Sequence, residues 1–240
     1  MAASGIITLI AYLFHARNNE HALYAPSLFA VRTFRLGLAG NLVSRLGMSA
    51  LPFLLPLLLQ VAFGYSAISA GWLLMPIALA AIAVKPLIKP IVTRLGYRHT
   101  MVLNTRIIGI LIASLAALTP QTPLWLMFFL LFAIGAANSV QFTGMNTLTM
   151  ADLRSHQASS GSSLMGVNQQ LAISFGIAIG ALLLQSFSQA SFTQYHIETA
   201  FRLTFLIMGL MTFLSSWVFA RLHPLDGDNL VHQTKTIQIK

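Results

Sequence analysis

The sequence predicts an all-α integral membrane helical bundle. Three observations carry that fold class. The 240 residues are 56% hydrophobic and only 8% charged; apolar runs long enough to cross a bilayer follow one another; and the connections between them alternate between basic and neutral. An ordinary globular domain carries roughly a quarter charged residues. Five carboxylates cannot solvate a surface of this size, which excludes a soluble enzyme and a disordered chain. The net charge of +9 comes from 14 Lys and Arg spread through apolar sequence. That pattern fits loops held at a membrane face rather than a nucleic-acid partner. With no cysteine, disulfides, thiolate catalysis and Cys-based metal sites are excluded.

The apolar runs occupy 2–16, 37–63, 68–90, 101–118, 124–148, 162–187 and 200–222. All but the first have the roughly 17–25 residues, or slightly more, of a spanning helix. The first rises only about 21 Å at 1.5 Å per residue, against a hydrocarbon core of about 30 Å. It lacks the basic region that opens a signal peptide. His15, Arg17, Asn18 and Asn19 follow it, not a small-residue cleavage site. The expectation is the tail of a longer helix, which would make the chain part of a larger protein. The organisation expected is 1–36 as partial helix and cytoplasmic connection, 37–222 as six spans, and 223–240 as a cytoplasmic tail.

Charge sets the orientation. Arg17, Arg32 and Arg35 precede the second run, while 64–66 carries no charge. Lys89, Arg94 and Arg98 follow the third run, and 119–123 is neutral. Asp152 and Arg154 follow the fifth, 188–199 has only Glu198, and the tail holds Arg221, Lys235 and Lys240. Basic connections on one side mark it as cytoplasmic, C-terminus included. Arg202, at the outer end of the last span, runs against the trend and can snorkel to the interface.

Ionisable residues inside a span are costly and are functional candidates. Arg45 lies about 10 residues, roughly 15 Å, into the second run. Asn41, Ser44, Arg45, Met48 and Pro52 share one stripe of that helix. Two readings of Arg45 stand: it lines a water-filled cavity, or it pairs with a carboxylate on a helix outside this sequence. Lys85 and Arg106 sit about one turn inside the cytoplasmic edge and read as snorkelling residues. In the fifth span Asn138, Gln141, Met145 and Thr149 occupy one arc, with Asn146 at its margin. In the sixth, Asn168, Gln169 and Gln170 are consecutive and cannot share a face. Gln169 shares its face with Gly176 and Gly180, a small-xxx-small surface for close helix packing. Singly, each amide reads as an interhelical hydrogen bond worth about 0.6 kcal/mol; together, polar stripes on three helices read as a lined pathway.

Pro52, Pro56, Pro76, Pro86 and Pro90 interrupt the spans and free backbone carbonyls of the kind transporters use as bends. No carboxylate lies inside a span, since Glu20, Asp152, Glu198, Asp226 and Asp228 fall in loops or tails. Hydrolytic or metal chemistry would need paired acids or a His cluster. His15, Glu20 and His21 lack the spacing to put two ligands on one helical face. No Gly-rich phosphate loop appears. The residues therefore call for no cofactor and no metal, and an integral-membrane enzyme has no catalytic constellation to stand on.

Several segments carry a family likeness. Gly64-Tyr65-Ser66 followed by Ala70-Gly71 and Pro76, Leu28-Phe29…Arg32-Thr33-Phe34, and Thr93-Arg94-Leu95-Gly96-Tyr97-Arg98 resemble the C-terminal half of major facilitator drug:proton antiporters of the fourteen-span type. So does Gln169-Gln170-Leu171…Gly176-Ile177-Ala178. A narrower likeness to multidrug resistance members rests on Gly40, Arg45, Leu51-Pro52-Phe53, Met145-Asn146-Thr147-Leu148-Thr149 and Ala158-Ser159-Ser160-Gly161. Thr93 stands where the basic loop motif has aspartate, and Gln169 where the family has arginine. Arg94, Gly96 and Arg98 of that motif remain. The span count agrees with the resemblance, because three-plus-three inverted repeats make one six-helix half, with substrate between two halves.

The resemblance implies a secondary transporter in a bacterial inner membrane, working by alternating access against a missing N-terminal half. The expected cavity residues are Asn41, Arg45, Asn138, Gln141 and Gln170. The family implies proton-coupled drug efflux; a deep cation with no acid beside it suits an organic anion or anionic chelate. An accessory or non-transporting membrane protein is the alternative. The expected partners are the lipid bilayer, a small-molecule substrate and the other half, with no nucleic acid.

Overall fold

A computed structural model describes residues 26–190, 196–223 and 226. The expected partial helix at 2–16 and nearly all of the tail at 223–240 lie outside the described residues. After a short 3-10 turn at Pro26–Ala30 come six helical rods. They are α1 (Arg32–Ala62), α2 (Ala67–Ala83), α3 (Lys85–Ser114), α4 (Leu124–Met150), α5 (Ala158–Gln189) and α6 (Ile197–Ala220). No strand occurs among the described residues. Five of the rods are long and apolar enough to cross a membrane. α2, at 17 residues, rises about 25 Å and hands over to α3 after the single residue Val84. The bundle is therefore all-α, six-helical and membrane-spanning.

Proline and glycine set where the rods bend. α1 begins at Arg32, five residues before its apolar run, and its first section stops at Met48. Met48 supplies the carbonyl that the missing N–H of Pro52 would have bonded. Helix resumes at Leu51, and past Pro56 it widens into a π-turn at Leu58–Ala62. Pro86 has the same effect on Ile82, next to the break at Val84. There Ser139 on α4 donates its Oγ hydrogen to the Ala81 carbonyl at 3.0 Å, a side chain serving backbone that a break exposes. Inside α3, Gly96 has φ 74° and ψ 158°, a conformation open in practice only to glycine. It divides α3 into two arms, so the chain reverses at the Arg94–Arg98 segment as a connection should.

α3 packs most extensively along α6 and also on α4; α1 touches α4, α5 and α6. α2 lies mainly on α4, and α5 on α1 and α6. One end of the bundle gathers Arg32, Arg35, Arg94, Arg98, Arg154 and Arg221. Tyr97 is buried there in one apolar cluster with Phe219 and Leu222. The opposite end holds the uncharged 64–66 and 119–123 turns, and Arg202 pairs with Glu198 one helical turn away at 3.8 Å. α3 and α6 meet at Gly109 and Gly209, where a Cβ on Gly209 would sit 2.6 Å from the Gly109 carbonyl oxygen and 2.7 Å from the Ala113 nitrogen.

That contact generates a prediction. Gly209→Ala wedges α3 from α6 and lowers stability by about 1–3 kcal/mol, the usual cost of overpacking. Gly71→Ala, whose added methyl meets nothing within 4 Å, shifts it by less than about 0.5 kcal/mol. Thermal unfolding in detergent, followed by tryptophan fluorescence, separates the two.

Candidate functional site

The first section of α1 sets the geometry of the site. Asn41, Ser44 and Met48 are buried on its inner stripe, and Arg45, one position further round, is half-buried at the open flank. Its guanidinium carbon stands 4.9 Å from the ring centroid of Phe142 on α4. An aromatic face replaces part of the hydration a cation loses. No carboxylate lies against Arg45 among the described residues. Asn41 is 0% exposed, and neither atom of its amide has a hydrogen-bond partner. Beside it Ser44 Oγ donates to Met145 Sδ at 3.6 Å. The α1–α4 seam is thus polar but weakly bonded at this depth.

Asn138 and Gln141 share an arc of α4 and meet different surroundings. Gln141 is buried and committed. Its Oε1 accepts from Asn104 Nδ2 at 2.8 Å, and its Nε2 donates to Thr105 Oγ1 at 2.9 Å and Met145 Sδ at 3.2 Å. Asn104 also donates to the Ala137 carbonyl at 2.8 Å, so this network ties α4 to α3. Asn138 is exposed and is the polar side chain of a cavity of about 370 Å³, lined by Met48, Pro52, Leu74, Ile77, Ile108 and others. The bend at Ser49–Ala50 adjoins this cavity; an unbroken α1 would not turn there.

The three consecutive amides of α5 go three ways. Asn168 Nδ2 donates to the Leu38 carbonyl of α1 at 3.1 Å. Gln169 Nε2 donates to Asn146 Oδ1 of α4 at 2.9 Å. Gln170 is exposed, next to Ser174, whose Oγ donates to the Gln170 carbonyl at 3.0 Å. Further along, a Cβ on Gly176 would lie 2.8 Å from the Leu46 carbonyl oxygen, and one on Gly180 2.7 Å from Ala50 Cβ. α1 and α5 therefore approach backbone to backbone. In the basic turn Arg94 is exposed and Arg98 half-buried. Thr93 spends its hydroxyl on its own helix, donating to the Lys89 and Pro90 carbonyls at 3.0 and 3.1 Å.

Of the five expected cavity residues, Arg45, Asn138 and Gln170 reach the open surface, while Asn41 and Gln141 are interior. Asn104 and Phe142 were not singled out from the sequence. Asn104 lies on the stripe of Met101, Ile108 and Ile112, and an amide in an apolar stripe is the signal that marks it. Phe142 carries no signal of its own; only the fold sets it under Arg45. The two flanks of the bundle differ in kind. α3 and α6 expose Leu103, Ile107, Ile110, Leu206, Leu210 and Leu214, whereas α5 exposes a small and polar stripe, Ser163, Gly166, Gln170 and Ser174, beside a second, apolar one of Val167, Leu171 and Phe175.

Comparison with known proteins adds the relationships. A family model described as Major Facilitator Superfamily matches residues 37–239. The chain is 40% identical over 226 residues to the "Probable transport protein HsrA" of Haemophilus influenzae, covering 94% of this chain and 49% of that protein. It is 40% identical over 225 residues to the "Putative multidrug resistance protein MdtD" of Escherichia fergusonii, covering 92% and 47%. The chain thus spans about half the length of the curated relatives it matches.

The Asn104–Gln141 bond predicts a coupling. In detergent unfolding, Asn104→Ala and Gln141→Ala each destabilise the bundle. The double variant loses less than the sum, by about 0.6–1.7 kcal/mol, the range of interhelical hydrogen bonds in membranes. Strict additivity contradicts the assignment.

Proposed function

The chain belongs to the Major Facilitator Superfamily, and on that footing we propose that it is one half of a secondary transporter, the six-span unit at 37–222. It works by alternating access against a second, N-terminal-type half. The observation that carries this reading is the flank bearing Arg45, Asn138, Gln170 and Ser174. Hydrocarbon does not solvate such groups, so the flank needs water or protein against it, and substrate sites of such carriers lie between two halves at mid-membrane depth. Among the described residues Asp152, Glu198 and Asp226 are the carboxylates, and all lie at or beyond helix ends. The acid that couples transport to protons belongs, on this reading, to the other half. The 37–222 unit and the cytoplasmic placement of the basic end in a bacterial inner membrane are parts of the same proposal.

The site residues take distinct roles. The cavity beside Asn138 takes an apolar body, with the amide supplying one directional hydrogen bond. Arg45 stands about one helical turn along α4, at Phe142, and supplies positive charge. Drug efflux is the substrate class the multidrug-resistance relative suggests. The unpaired guanidinium favours an organic anion or anionic chelate within that class. Asn41 and Gln141 contribute to the seam behind the cavity, Arg94 and Arg98 anchor the turn at the basic end, and Gly176 and Gly180 hold α5 on α1.

The test is flux in vesicles. Co-expressed with the N-terminal half of a full-length HsrA-type relative, the chain supports proton-driven export; expressed alone, it gives none. In the assembled carrier Arg45→Ala lowers export of an anionic substrate about tenfold or more, the equivalent of 1.4 kcal/mol, and spares a lipophilic cation. Flux from the chain alone contradicts the half-carrier reading, and unchanged anion export rejects the role of Arg45.

A further inference from the structure

The apolar flank of the bundle carries an unneutralised cation. Arg106 lies ten residues beyond the Gly96 turn, roughly 15 Å along α3, and is exposed between lipid-facing side chains. Its neighbours bear no negative charge. Nε donates to Ser216 Oγ at 3.3 Å, and the guanidinium carbon stands 5.9 Å from the Phe213 centroid. The seam continues one turn along α6 to Trp217, which is 73% exposed. The Arg221 guanidinium carbon lies 5.9 Å from the Trp217 ring centroid. Arg32, at the start of α1, is fixed to the same corner by a 3.0 Å bond from its Nη2 to the Arg221 carbonyl. The second arm of α3 starts at the basic end, and helical side chains lean toward their N-terminus. Arg106 therefore leans toward the basic end, at whose edge Arg221 and Arg32 lie together.

No carboxylate forms an ion pair with any of these guanidiniums among the described residues. Asp226, the nearest acid in sequence, has its Oδ2 on the His223 backbone N–H at 2.6 Å. Beneath the corner, Leu206, Leu210, Phe213, Leu214 and Trp217 recur every three or four residues as one exposed stripe of α6. From Leu206 to Trp217 that stripe is about 16 Å long, close to half of a hydrocarbon core of about 30 Å, the depth of one leaflet. A cation in hydrocarbon is costly without a counter-charge. Guanidinium matches a phosphate diester in planar, bidentate fashion, and an exposed Trp marks the headgroup level.

We propose that this corner between α3, α6 and the start of α1 is a binding site for an anionic phospholipid. Its phosphate is held by Arg106, Arg221 and Arg32, and one acyl chain lies along Leu214, Leu210 and Leu206. The site needs only the bundle in a bilayer and is independent of the transport role.

The chain has three tryptophans, Trp72, Trp125 and Trp217, so a Trp72→Phe/Trp125→Phe chain reports on the corner alone. It is reconstituted in phosphatidylcholine vesicles containing a minor fraction of phosphatidylglycerol, with one or other lipid brominated on its chains. Brominated phosphatidylglycerol is expected to quench Trp217 several-fold more than its share of the bilayer. Arg106→Gln lowers that enrichment about fivefold, the share of one basic residue at an anionic surface, and Lys89→Gln leaves it unchanged. Arg221→Gln, at an exposed helix end, gives the same reading should Arg106→Gln fail to fold. Quenching equal to the lipid's mole fraction overturns the proposal. So does an equal loss from Lys89→Gln, which marks a diffuse surface potential.

Discussion

In hydrocarbon a polar group without a partner costs several kcal/mol, and the arrangement of this bundle follows from that constraint. Amides inside the spans are tied helix to helix: Asn104 to Gln141, Gln169 to Asn146, and Asn168 to the Leu38 carbonyl. The carbonyl of Ala81, next to a proline-induced break, receives a serine hydroxyl. Hydroxyls at Thr105, Thr149, Thr204 and Thr212 fold back onto carbonyls of their own helices. What remains unsatisfied is therefore informative. Arg45, Asn138 and Gln170 reach the surface of the bundle, and the wholly buried Asn41 amide lies one turn behind Arg45.

Much of the fold was legible in the sequence because bilayer thickness and charge asymmetry act on composition directly. The six spans and the basic end follow from counting apolar runs and Lys/Arg positions. The bends were legible only as prolines. Pro52 announced a break, but not that it would fall at Ser49–Ala50 beside a cavity. The start of α1 at Arg32 was hidden because its first turn is polar at the membrane edge. The start of α3 was hidden because Pro86 interrupts a rod that periodicity reads as continuous through 90.

The candidate site was legible residue by residue but not as an arrangement. Helical angle put Asn138 and Gln141 on one arc, and one faces a cavity while the other is saturated by α3. The difference arises from the course of α1, which no spacing within α4 records. The same holds for Asn168, Gln169 and Gln170: their divergence follows from 100° per residue, but their partners depend on which helices flank α5. Thr93 illustrates a loss. At a position where the resembling motif carries an acid, this chain has a hydroxyl bonded to its own helix, so the turn holds only cations.

The central claim is that one flank of the bundle faces a hydrated hollow while the opposite flank faces lipid. The chain has no cysteine, so single substitutions give unambiguous labels. In membranes holding the assembled carrier, Asn138→Cys, Gln170→Cys and Ser174→Cys should react with a charged, water-soluble thiol reagent, and Leu210→Cys and Leu214→Cys should not. Equal protection of both sets would contradict the account.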